Sequence, residues 1–184
     1  MSSPLRSELC IMFMTYNGKY KPIIYIIKNK VLLKYRLFIY AMEGSILKIL
    51  VSACIMGENC KYNGKNNYNP RVSAFLANKD FIMICPEMLA GLGTPRNCAE
   101  IVNGKVVDNK GNDVDEDFRN GVALAIEKIK NEQIDFAVLQ SRSPTCGVHQ
   151  IYDGSFSGTL IPGQGLFAKE LIRKGIKVFD SDEF

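Results

Sequence analysis

The sequence predicts an α/β fold: one open, parallel, Rossmann-like sheet flanked by helices, with a small inserted β-hairpin. Three observations predict it. Apolar runs of strand length alternate with helix-like segments, which is the pattern of parallel crossovers. One short stretch between them carries paired turn signals of the kind that close hairpins. The length, 184 residues, suits a single domain with a real core and is short for two.

The elements follow in order. Residues 46–53, at the start of "ILKILVSACIMG", read as a first buried strand, and residues 81–84 ("FIMI") as a second. Residues 135–140 ("DFAVLQ") and 176–179 supply a third and a fourth. Helix-like segments lie between them, at 70–78, at 115–131 and at 165–174. The second of these has Phe118, Val122, Leu124, Ala125 and Ile129 as its apolar positions, and the third stops before Gly175, a C-terminal cap. The segment "IVNGKVVDNKGND" places Asn-Gly and Lys-Gly turns among short apolar pairs and reads as the inserted hairpin.

Character changes near Met42. Residues 1–41 hold five of the eight tyrosines, show no clean period of two or 3.6, and carry seven basic residues against Glu8, a net +6. They read as an N-terminal extension, either arising from a mis-chosen upstream start or loosely attached, with a basic aromatic arm for a membrane surface or partner as the alternative. Residues 42–184 are the α/β domain. Its 16 basic and 18 acidic residues give it −2, so no nucleic-acid partner is expected on charge grounds. No run approaches the roughly 18–20 apolar residues of a membrane span, and no secretory pattern is convincing. A cytoplasmic, reducing setting is expected, where six cysteines are thiols, metal ligands or catalysts sooner than disulfides.

Strand order then places chemistry. Cys54 follows the first strand, Cys85 the second, and Cys146 lies in the loop after the third. In open parallel sheets ligands gather beyond the carboxyl ends of the strands, so these three thiols are expected on one rim. Singly, each reads as a small buried hydrophobe; together, at successive strand ends, they read as ligands. Structural zinc favours four donors in closely spaced Cys pairs, and no such pair is present. Cys60 and Cys98 are further candidates for a fourth donor. Three thiolates alone suit a 4Fe-4S cluster with one iron lacking a protein ligand, a Lewis acid that accepts soft sulfur.

The segments "VSACIMGENCKYNG", "CPEMLAGLGTPR" and "RSPTCGVHQIYDGSFSGTLI", in this order, resemble the thiouracil desulfidase (TudS) family, long catalogued as a domain of unknown function. The likeness runs over residues 46–178. It implies an α/β fold, a 4Fe-4S cluster on Cys54, Cys85 and Cys146, and removal of sulfur from a thionated nucleobase such as 2-thiouracil. Asn63, Thr145 and Cys98 depart from the family pattern, and Asn63 bears on substrate choice. No second domain of the kind found in relatives that handle thiolated tRNA follows, so a free base or small thioamide is the expected substrate.

Exchanging C=S for C=O with water needs no net redox change, but it needs a proton acceptor. Glu87, two residues beyond Cys85, is the first candidate, against a plain role in a helix first turn. Ser143 is the second, as donor or relay, against shaping its turn before Pro144. Arg96 reads as an anion contact or a structural ion-pair partner, the sole histidine, His149, as a surface or outer residue, and Asp153 as a turn former. The glycine-rich run after it lacks the P-loop ending and dinucleotide spacing. Two other readings share these ligands: a non-catalytic sulfur sensor or trafficking module, and a structural zinc domain using Cys54, Cys60, Cys85 and Cys146.

Overall fold

The computed structural model of the chain describes residues 11–16, 19–24 and 47–184. Two compact units divide it, one within Met1–Ser45 and one within Ile46–Phe184. In the first, strands β1 (Ile11–Tyr16) and β2 (Lys19–Ile24) pair antiparallel, Ile11 opposite Ile24 and Tyr16 opposite Lys19. No clean period of two or 3.6 marks these strands in the sequence; Asn17-Gly18, between them in the chain, is a hairpin signal that periodicity does not register. The boundary expected near Met42, and the character of the remaining extension, lie outside the described residues.

The second unit is built on four parallel strands: β3 (Lys48–Ser52), β4 (Asp80–Ile84), β7 (Phe136–Leu139) and β10 (Lys177–Asp180). Their order across the sheet is β10-β7-β3-β4. The two central strands are buried almost throughout, whereas the edge strands start exposed and become buried only toward their carboxyl ends. That difference is why "KILVS" and "FAVL" are continuous apolar runs, since a strand covered on both faces has no solvent side to mark.

Helices cover both faces. On one, α3 (Asp115–Lys128) and α4 (Leu166–Arg173) pack over Leu50, Ala137 and Leu139 through Val122, Ala125, Phe167, Ala168 and Leu171. On the other, α1 (Pro70–Leu76) brings Phe75 to 6.3 Å from Phe136, whose ring meets Phe179 edge-on at 5.5 Å. Asn69 starts α1 by accepting the Arg71 and Val72 N–H groups ahead of Pro70, the usual cap and first-turn proline. A short helix, α2 (Pro86–Leu89), follows β4 at once.

Two antiparallel hairpins complete the unit. β5 (Ala99–Val102) with β6 (Lys105–Asp108) is the expected insertion, and Asn103 and Gly104 at its turn both take positive φ. β8 (Gln150–Tyr152) with β9 (Leu160–Pro162) was not expected. Its strands are three residues long, too short for an alternation to stand out. Among the described residues no helix is long and apolar enough to cross a membrane.

Candidate functional site

Sheet order locates the site before any side chain is considered. From β3 the chain crosses to β4 on one side, then returns to β7 on the other. The carboxyl ends of β3 and β7 are therefore a topological switch point, where α/β sheets open a crevice. Ser52 ties the two ends together: its Oγ accepts the Gln140 N–H at 3.0 Å, and the residue is almost fully buried. Beyond this pair lies a cleft of about 560 Å³, within the range of small-molecule sites.

Five cysteines line that cleft: Cys54, Cys60, Cys85, Cys98 and Cys146, all free thiols. Cys54 lies in a 3-10 turn, Ala53–Met56, that directly continues β3 and is closed by Gly57 at φ +102°. The following loop folds back on it, the Asn67 N–H donating to the Cys54 carbonyl at 2.9 Å and the Asn67 Nδ2 lying 3.9 Å from its Sγ. Cys85 is the N-cap residue of α2, between the end of β4 and Pro86. Cys146 is buried in the loop after β7, packed against the start of α4 by the Phe167 N–H donating to the Thr145 carbonyl at 2.8 Å.

Their electrostatics are those of a crowded thiol set. Cys60 is pushed up to about 11, first by its interaction with Cys54, and Cys85 is pushed far up by Cys60 and by burial. Burial drives Cys146 up to about 12, opposed by the Ser52 and Ser143 hydroxyls. Left alone Cys60, Cys85 and Cys146 stay neutral, because burial and neighbouring negative charge both oppose a thiolate. A multiply charged cationic body removes that opposition and binds with release of protons, so the donor set fits a thiolate-held cluster. Among the described residues no group of three or more Cys, His, Asp or Glu side chains is arranged to hold a single metal ion.

The other expected residues divide. Glu87 and Ser143 line the cleft with the thiols. One carboxylate oxygen of Glu87 accepts from Thr145 Oγ1 at 2.7 Å and the other forms a close ion pair with Arg96. Arg96 also donates to the Gly93 carbonyl at 2.7 Å and the Cys60 carbonyl at 3.1 Å, so it ties its own loop to the Cys60 loop and to α2 and is a structural partner. The Ser143 hydroxyl accepts the Thr145 and Cys146 N–H groups, both at 3.1 Å; it shapes the turn and still has its own proton to donate. His149 is largely exposed and meets Glu183 at 3.0 Å, away from the cleft lining. Asp153 accepts from the Ser155 N–H and hydroxyl, a turn brace. Motif reading missed Ser52, Asn67 and Glu100, whose signals are purely tertiary.

Fold and site together define an α/β protein with a thiol-lined cleft at the switch point of a parallel sheet. A family model described as 2-thiouracil desulfurase matches residues 49–183. The uncharacterized protein YbbK of Bacillus subtilis (strain 168) is 36% identical over 145 residues, covering 73% of this chain and 96% of that protein. A solved structure, the 4Fe-4S-dependent thiouracil desulfidase TudS, is similar at 37% identity and a TM-score of 0.70, covering 75% of this chain and 93% of that one. The chain belongs to the 2-thiouracil desulfurase family, a family of enzymes.

Proposed function

We propose that the protein removes sulfur from a thionated pyrimidine such as 2-thiouracil, water and the C=S group giving uracil and hydrogen sulfide. The cofactor of this reading is a 4Fe-4S cluster held by Cys54, Cys85 and Cys146, with one iron free of protein ligands. The observation that carries it is the meeting of these three cysteines in one cleft with Glu87 and Ser143 on its wall. Likeness to a 4Fe-4S-dependent desulfidase supports the choice of cofactor. When bound, such a cluster supplies a Lewis acid and a soft acceptor for sulfur.

The chain's own residues supply the rest. Glu87 is the proton acceptor for the attacking water. Arg96 and Thr145 fix its carboxylate orientation, which general-base catalysis requires before any question of acidity. Ser143, with its oxygen engaged by two backbone N–H groups, directs its proton outward as a donor to the substrate or to sulfur. Ser52 and Ser143 face the Cys146 sulfur and favour its thiolate form.

Anaerobically reconstituted protein incubated with 2-thiouracil tests the reading. Sulfide and uracil are expected in many-fold excess over protein. A single stoichiometric release of sulfide, or none from several thionated bases, overturns it in favour of a sensor or trafficking role.

A further inference from the structure

Phe156 is a half-exposed aromatic residue held in a left-handed conformation, φ +56°, at the lip of the cleft. Bulky side chains avoid that region because Cβ crowds the following carbonyl, and such strain persists only where the surroundings impose it. Here they do. Glu100, buried on β5, uses one carboxylate oxygen to accept both the Gly154 N–H at 3.0 Å and the Phe156 N–H at 3.1 Å. Gly154 makes the approach possible: at φ +89° it lies so close to β5 that a Cβ would meet the Ile101 carbonyl at 2.8 Å. Across the loop, the Asp153 N–H donates to the Thr159 carbonyl at 3.1 Å.

A buried carboxylate is thus committed to fixing the backbone under a ring that the core does not use. Two more aromatic residues, Tyr62 from the loop after Cys54 and Tyr152 from β8, line the same cleft, and Tyr62 is also exposed. Aromatic surface left open beside a cleft marks a place where a ligand completes the burial. Rings from two separate segments, the loop after Cys54 and the hairpin of β8 and β9, suit a flat heteroaromatic ligand, since stacking needs a π-face and no particular hydrogen-bond pattern.

We infer that Phe156 is the stacking platform for the pyrimidine ring of the substrate, and that Glu100 is a positioning residue acting through it. The inference rests on the desulfidase reading and extends it to ring recognition. The test uses full-length reconstituted protein, with KM and kcat for 2-thiouracil measured beside equilibrium dialysis of labelled uracil. Phe156→Ala and Phe156→Leu are expected to raise both KM and the uracil Kd about tenfold, the size of one lost base–aromatic stack. The loss falls on KM and not on kcat, as for an interaction made equally in ground and transition states. Phe156→Tyr restores both values to within about twofold.

Glu100→Ala is expected to raise KM by a similar factor, and the double variant with Phe156→Ala to be no worse than Phe156→Ala alone, which a general loss of stability would not produce. Wild-type KM and uracil Kd in Phe156→Ala, with turnover intact, overturn the inference, and so do multiplying effects in the double variant. If the wild type turns over no thionated base, the desulfidase reading falls by itself. Dialysis then still decides: a tenfold loss in Phe156→Ala upholds the pyrimidine platform, and no uracil binding by the wild type removes it.

Discussion

The Arg96 guanidinium closes on the Glu87 carboxylate of α2 from the loop that follows that helix, and their side chains are only 10% and 16% exposed. The pair joins the helix that follows Cys85 to the loop that carries Cys60. Removing one partner leaves the other charged and poorly solvated, which costs about 3 kcal/mol for pairs buried to this degree. Arg96→Ala is therefore expected to lose about that much stability in urea denaturation. Glu87→Gln keeps the shape of the side chain and loses the base, so its effect is expected in kcat, down ~100-fold or more, with a smaller change in stability.

Alanine at Cys54, Cys85 or Cys146 is expected to abolish the broad visible absorption of the reconstituted protein, because each removes one of three thiolates. Cys98→Ala should keep it. Iron and acid-labile sulfide, measured on the same samples, provide the check; retention of full absorption in any one of the three ligand variants contradicts the assignment.

Gly121 sits in the middle of α3, where alanine would ordinarily add about 1 kcal/mol of helix stability. Here a Cβ would lie 2.3 Å from the Pro86 carbonyl oxygen, against the backbone of the helix that Cys85 begins. Overpacking against fixed backbone costs about 1–3 kcal/mol, and the close distance puts this case at the upper end. Gly121→Ala is expected to be destabilising overall by about 1–2 kcal/mol, with weaker retention of iron, read by denaturation and by iron release to a chelator.

The raised thiols give the metal-free protein a defined alkaline response. Cys146 is held up at about 12 and Cys60 at about 11, against an ordinary 9.0. The folded chain thus keeps protons that the unfolded chain has released, and unfolding free energy falls as pH rises. That stability is complete below about pH 9 and drains away toward about pH 12. Denaturation midpoints of iron-free protein between pH 8 and pH 11 should fall more steeply for the wild type than for Cys146→Ala. Parallel slopes would contradict the assignment of buried, neutral thiols.

Much of this protein was legible in its residues. The four parallel strands and the three longer helices follow from apolar runs and their caps, since strands covered on both faces leave unbroken hydrophobic signals. The hairpin at β5 and β6 was readable from Asn103-Gly104, whereas β8 and β9 were too short to show a period. The convergence of Cys54, Cys85 and Cys146 followed from position alone, because every parallel strand delivers its carboxyl end to the same rim. Chain order, however, is not sheet order. Only the folded arrangement β10-β7-β3-β4 put the switch point between β3 and β7 and set Ser52 against Gln140. Only long-range contact separated Arg96, a clamp, from the candidates for chemistry, and tied Glu100 to Phe156 across 56 residues. Local sequence carries the propensities and periods that build elements; which side chains from distant elements share a hydrogen bond depends on how those elements pack, and that is decided in three dimensions.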